Sequence, residues 1–216
     1  MLDKLIDDYL RLLARATGAF ASFKDAAPEA VTCKPGCCEC CVGLFEITPL
    51  DAEIVALASA QLPTAELARV RREAASQLEH LHAIESRVPV GRGVLGPAKK
   101  SPRVDFPVSF TERALSSLVS QVGNVRCPLL DDADRCALYP FRPLVCRLQG
   151  LPRVSRPCGV MSQEPGRPKG TKNLARLTRE VDGIFGMEAR MLSRYAKIVR
   201  ARDAAHAVCF VATALA

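Results

Sequence analysis

Five of the chain's ten cysteines lie within nine residues, between Cys33 and Cys41, in the stretch CKPGCCECC. So many thiols cannot all be buried as small hydrophobic side chains without crowding. The Pro35-Gly36 pair bends the backbone, so that the sulfurs can turn toward a common centre. A bound metal at that centre is the simplest reason for such a density of thiols.

A second set of four cysteines lies far down the chain, between residues 127 and 158. This segment contains five prolines, so we expect it to wrap around a centre rather than to run as regular structure. The two sets are interpreted as the halves of one metal-binding core. The members of the second set are Cys127, Cys136, Cys146 and Cys158.

The chain does not need crosslinks in order to fold. At 216 residues, 49% of them hydrophobic, it can bury a sizeable core as one domain.

The chain begins MLDKLIDD, with acidic residues where a secretory signal peptide has a basic and then an apolar region. We therefore expect a cytoplasmic protein, in which thiols stay reduced and bind metals.

Membrane and nucleic-acid partners are both disfavoured by the sequence. The longest apolar run, residues 204–216, is shorter than the roughly 18 residues of a membrane span and contains His206.

The formal charge of +7 counts every thiol as neutral. Two sites of four thiolates around a divalent metal would lower it to about +3. Basic residues at 167–179 have few aromatic neighbours, so we expect solvated surface or a docking site for an acidic protein.

Helical periodicity dominates outside the cysteines. Thr48 is expected to cap one helix, with Pro49 and Asp51 in its first turn, and Asn173 to cap the long last one. We predict a mainly α fold: a helical domain over residues 1–216, with two irregular cysteine-bearing segments in a core at about 31–160. The predicted helices span residues 2–21, 48–60, 63–87 and 111–122, and a helical C-terminal part spans residues 173–216 and ends in a separate apolar helix. Two loops are predicted between these helices, at residues 89–107 and 165–170.

The order and spacing of the cysteines resemble the YkgJ-type cysteine-cluster (CxxCxxCC) family. The resemblance rests on Cys33-x3-Cys37-x2-Cys40-Cys41 in the first set and on CPLL, CALY and RPLVCR in the second. It covers roughly residues 31–160, and two distant segments match in order. The family is described as zinc- or iron-chelating and shares its motif with the flagellin lysine methylases.

The resemblance implies a ligand set of eight cysteines and leaves two over. Cys209 lies in the apolar tail and is expected to be a core residue. Cys38 lies inside the first loop, where it could replace a neighbouring ligand. The implied ligands are Cys33, Cys37, Cys40, Cys41, Cys127, Cys136, Cys146 and Cys158.

The identity of the metal is open between an iron–sulfur cluster and zinc. Closed zinc sites commonly contain CxxC-like pairs, whereas iron–sulfur clusters also use all-cysteine sets with irregular spacing. The first set contains one such pair, Cys37-x2-Cys40, but the wide gaps in the second set do not resemble zinc-finger pairs and favour a [4Fe–4S] cluster. Side chains of adjacent residues diverge, so Cys40 and Cys41 are not expected to serve one small site equally. Eight thiols suit either two metal sites or one cluster with a supporting structural site.

Basic and aromatic residues lie beside the second set of cysteines. The guanidinium groups of Arg135, Arg142 and Arg147 either donate to the sulfurs and offset their charge or lie on the surface. Tyr139 and Phe141 are expected to form an apolar wall, which would control solvent access to a metal.

Three classes of function agree with these features, and no catalytic residue is identified. The first, an accessory or electron-transfer metal protein, needs only the ligands and a helical scaffold. The second, implied by the resemblance, is methyl transfer from S-adenosylmethionine to protein lysines, although no Gly-rich loop follows a strand. The first three ligands also have the spacing of radical S-adenosylmethionine enzymes, without the strands of their barrel. The third is a metal-stabilised module that binds protein or nucleic acid.

Overall fold

The computed structural model describes residues 1–31, 33, 36–43, 46–85, 99–100, 105–106, 122–123, 125–151, 172–200 and 209–215. Over these residues the chain is mainly helical, as predicted, and its strands are two residues long. The helices are α1 (Leu2–Ala26), α2 (Pro49–Ser59), α3 (Thr64–Glu85), α4 (Leu144–Leu148), α5 (Lys172–Ile198) and α6 (Val211–Leu215). The strands are β1 (Glu46–Ile47), β2 (Lys99–Lys100), β3 (Asp105–Phe106) and β4 (Cys209–Phe210).

The chain divides into two compact units. The first unit comprises residues 1–40 and 144–191, and the second comprises residues 41–143 and 192–216. The prediction of a single domain stays a prediction. None of the helices in the described part of the chain is long and apolar enough to span a membrane.

The first unit is built on α1, whose apolar residues recur every three or four positions and form a buried stripe. The short helix α4 packs on α1. A buried hydrogen bond joins α1 to α5, because the Tyr9 hydroxyl donates to Glu188 Oε1 at 2.7 Å. The buried stripe of α1 is Leu5, Ile6, Tyr9, Leu12, Leu13, Ala16, Ala19 and Phe23.

The second unit is built around α2, which is buried over nine of its eleven residues. As predicted, Thr48 caps it: the Thr48 hydroxyl accepts from the Asp51 N–H at 3.2 Å, and the Asp51 carboxylate accepts from the Thr48 N–H. Helices α2 and α3 both pack on α6, and β1 pairs with β4 in antiparallel register. The Tyr195 hydroxyl donates to the buried Glu53 Oε1 at 2.7 Å.

Several boundaries differ from the predictions. Helix α1 continues past residue 21 to Ala26, because Phe23 extends the buried stripe and Pro28 comes only after the end. Helix α5 begins at Lys172, so Asn173 lies inside its first turn and is not its cap. The tail is not only helical, since Cys209–Phe210 pair with β1.

The predicted loop at 89–107 contains the antiparallel pair β2–β3. The rest of that loop lies outside the described residues, as do the predicted loop at 165–170 and nearly all of the predicted helix 111–122.

Candidate metal centre

The first cysteine loop follows the end of α1. A short 3-10 helix, Pro28–Ala30, packs on α1 and delivers the chain to Cys33. Gly36 has a φ of +80°, a left-handed conformation that glycine adopts without steric cost, and it turns the chain toward Cys37. The predicted bend of the Pro-Gly pair is therefore present at Gly36. Cys33, Cys37, Cys38 and Cys40 are all half-buried in this unit.

Cys146 belongs to the same unit and lies on α4. This helix is fixed to α1 by its buried residues Leu144 and Leu148 and by Arg147, which donates to the Thr17 hydroxyl at 2.8 Å. Helix α1 therefore supports the segments that carry Cys33 and Cys146.

The second unit brings Cys41 beside Cys127. The Cys127 N–H donates to the Cys41 carbonyl at 2.7 Å, and the Gly43 N–H donates to the Val125 carbonyl at 2.6 Å. Gly43 has a φ of +106°, which strongly favours glycine. Long-range backbone pairing thus fixes two cysteines that are far apart in the sequence.

A tight loop then returns the chain from Cys127 to Cys136. The Leu130 N–H donates to the Cys127 carbonyl at 3.0 Å, and Leu130 and Cys136 face each other across an antiparallel bridge. The Ala137 N–H closes the pairing by donating to the Leu129 carbonyl at 2.8 Å. Cys41, Cys127 and Cys136 are consequently linked to one another through backbone hydrogen bonds.

Asp131 organises this loop. Its carboxylate accepts from the N–H of Ala133 at 2.9 Å and from the N–H and Nε of Arg135 at 2.8 and 2.9 Å. The Arg135 N–H is the main reason that the pKa of Asp131 lies below its ordinary value of 3.8. A short polar side chain that closes its own turn is a recognisable sequence signal, but our sequence reasoning missed it.

Arg69 of α3 holds the same loop from another side. Its Nη1 donates to the Leu130 carbonyl at 2.8 Å and to the Pro128 carbonyl at 3.4 Å. No local pattern identifies this contact, because 59 and 61 residues separate the partners. Arg69 and Asp131 are therefore the positioning residues that the sequence analysis lacked.

The arginines beside the cysteines have partners that order the loops. Arg135 pairs with Asp131 and Arg147 donates to Thr17, while the Arg142 guanidinium lies 3.7 Å from the centre of the Tyr139 ring. Tyr139 is 57% exposed and Phe141 is 37% exposed. The expectation that they form an apolar wall beside a metal stays a prediction.

The thiols are suited to a soft metal. Seven of the eight predicted ligands lie in the described residues, where they are half-buried and form no disulfide, and Cys158 lies outside them. A half-buried thiol can be deprotonated by a metal and still be shielded from water, so the donor set fits zinc or iron. Within the described ranges, no three Cys, His, Asp or Glu side chains already converge at a metal-binding distance.

Cys209 has the core position that was predicted for it. It is fully buried, and this burial, with the charges of Asp51 and Glu53, raises the pKa of its thiol. A thiol that resists ionisation is a poor ligand. Cys38 is as accessible as the neighbouring cysteines and remains an extra thiol in the loop.

The chain is a helical scaffold that holds two sets of half-buried thiols. This architecture is that of a cysteine-rich metal-binding protein. A family model matches residues 32–163, and the chain belongs to that family, CxxCxxCC, described as a zinc- or iron-chelating domain. Neither a curated protein nor a solved structure matches the chain.

Proposed function

We propose that the chain is a cysteine-ligated metal protein that binds an iron–sulfur cluster, [4Fe–4S], in an accessory or electron-transfer role. The observation that carries this proposal is the set of half-buried thiols without disulfides, in a member of a zinc- or iron-chelating family. A [4Fe–4S] cluster takes four thiolates, so the eight proposed metal ligands suit either two metal sites or one cluster with a supporting structural site. They are Cys33, Cys37, Cys40, Cys41, Cys127, Cys136, Cys146 and Cys158.

The donor chemistry supports a cluster over a single zinc ion. Thiolates are the usual ligands of iron–sulfur clusters, and such clusters accept irregular spacing between the cysteines. Here the gaps in the second set are wide, and Cys127 and Cys136 are joined by a tight loop rather than by a CxxC turn. Zinc held by four thiolates is the alternative.

The residues around the thiols support a role in which the bound metal is retained by the protein. Asp131 and Arg69 fix the loop between Cys127 and Cys136, so a ligand on this loop loses little conformational freedom when it binds. Half-burial limits the access of water to the sulfurs, and solvent exposure is one of the factors that set the reduction potential of a bound cluster.

The test compares the metal content of single variants purified without oxygen. Cys37→Ser and Cys146→Ser should each lower metal content and thermal stability together, because ligation contributes to folding. Cys209→Ser is the matched control, since its thiol is buried in the core of the second unit. Unchanged metal content in Cys37→Ser or Cys146→Ser would remove that residue from the ligand set, and metal loss in Cys209→Ser would refute its core assignment.

A further inference from the structure

The solvent side of α5 carries basic residues and two glycines. At 3.6 residues per turn, they fall in a sector of about 80° around the helix. All but the half-buried Gly186 are exposed, and the buried residues Leu177, Val181 and Ile184 lie on the opposite side. We call this sector, within the part of α5 that belongs to the first unit, the arginine face; it consists of Arg176, Arg179, Gly183, Gly186 and Arg190.

The acidic residues of α5 do little to neutralise the arginine face. Glu188 is buried and accepts the hydrogen bond from Tyr9. Glu180 lies 3.7 Å from Arg15 of α1, which offsets its charge, and Asp182 lies at the edge of the face. The arginine face therefore presents a net positive charge to the solvent.

The two glycines have no structural role within the described part of the chain. Glycine is a poor residue for a helix interior, and neither glycine has a positive φ that would require it. A Cβ built on Gly183 meets nothing within 4 Å, and one on Gly186 meets only the Arg190 guanidinium, at 3.8 Å. They leave a shallow notch between Arg179 and Arg190, which are about 16 Å apart along the helix axis. The notch is open at Gly183, and the Arg190 guanidinium lies at its Gly186 end.

We propose that the arginine face binds the sugar–phosphate backbone of a nucleic-acid duplex. The ridge of one strand lies in the glycine notch, and phosphates on either side accept hydrogen bonds from the planar guanidinium groups of Arg179 and Arg190. This interaction is independent of the proposed metal function and goes beyond it.

The composition of the face favours a duplex over other polyanions. A single strand would need aromatic side chains on which its bases stack, and the arginine face has none. The centre of a protein interface is depleted in charge and anchored by aromatic residues, whereas protein–nucleic acid interfaces are polar and strongly positive. The bases of a duplex are already stacked on one another, so a scarcity of aromatic side chains does not count against duplex binding.

The test measures the binding of the full-length, metal-loaded protein to a short fluorescent DNA duplex between 50 and 200 mM salt. If the three arginines each contact a phosphate, log K falls with log salt at a slope of about −2.7, or roughly 40-fold over this range. Removing two contacts with Arg179→Gln/Arg190→Gln should reduce the slope to about −0.9 and weaken binding about 60-fold at 0.1 M salt. The control Arg71→Gln/Arg72→Gln removes the same charge from exposed positions on α3 and should retain binding.

A second variant separates the notch from the charge. Gly183→Ala/Gly186→Ala should raise the Tm, because alanine is the better helix former, and should nevertheless weaken duplex binding several-fold by filling the notch. Metal content should stay unchanged in every variant, which keeps this test distinct from that of the metal function. The proposal is overturned if the duplex does not bind, if neither α5 double variant weakens binding, or if polyglutamate binds as tightly as the duplex.

Discussion

Replacing Tyr195 with phenylalanine should destabilise the protein by removing one buried hydrogen bond. The Tyr195 hydroxyl donates to Glu53 Oε1 at 2.7 Å, and both side chains are completely buried. Phenylalanine keeps the ring and its packing, so the change isolates the hydroxyl. Hydrogen bonds to charged groups contribute more than neutral ones, and loss of the donor leaves the buried carboxylate with one bond fewer.

We expect the free energy of unfolding to fall by about 2 kcal/mol. The assay is equilibrium urea denaturation of the metal-loaded protein, followed by circular dichroism. The chain contains two further tyrosines for comparison. Tyr9→Phe removes an equivalent bond of 2.7 Å to Glu188 in the first unit and should cost a similar amount. Tyr139→Phe alters a side chain that is 57% exposed and should change stability by less than about 0.5 kcal/mol.

The reasoning would be refuted if Tyr195→Phe cost no more than Tyr139→Phe. A double-mutant cycle with Glu53→Leu, which removes the acceptor, gives the interaction between the two groups directly. If Tyr195 acts mainly through Glu53, the two single changes should not add. Additive effects would show that the hydroxyl stabilises the core by another route.

Three other perturbations test the loops and the core. Arg135→Gln should raise the pKa of Asp131 only part of the way toward 3.8 in an NMR titration, because it removes the charge and the side-chain bond but keeps the backbone N–H that is the main cause of the lowering. Since that pKa is lowered in the folded state, the stabilisation it gives is present above pH 3.8 and is lost as pH falls through the lowered pKa. Gly43→Ala should lower the free energy of unfolding by about 1–2 kcal/mol, because alanine is strained at the φ of +106° that Gly43 adopts. The same change should lower the metal content. Gly18→Ala in α1, where a Cβ meets nothing within 4 Å, should not destabilise the protein, and equal effects would refute the strain argument. Cys209 should resist alkylation at neutral pH until the protein unfolds, since its thiol is buried and its pKa is raised; rapid labelling of the native protein would contradict this.

Local signals predicted much of the scaffold. The Thr48-Pro49-Leu50-Asp51 start of α2 was predicted because a cap depends on residues within one turn, and the same is true of the bend at Gly36. The burial of Cys209 followed from the apolar tail around it. Its strand pairing with Ile47 did not, since partners far apart in sequence depend on tertiary structure.

The support of the cysteine loops could not be predicted in the same way. Arg69 reaches the loop after Cys127 from another helix, and nothing in the sequence around it indicates that contact. The contact between Tyr139 and Arg142 was not predicted either: the ring is 57% exposed, and the Arg142 guanidinium lies 3.7 Å from its centre.

Metal and acid-labile sulfide analysis, with an absorption spectrum of protein purified without oxygen, distinguishes an iron–sulfur cluster from zinc. We expect iron with a matching amount of sulfide and a broad band in the visible range. Colourless protein with stoichiometric zinc would contradict the cluster and establish the zinc alternative. Protein that binds neither metal would contradict the assignment of the cysteines as ligands.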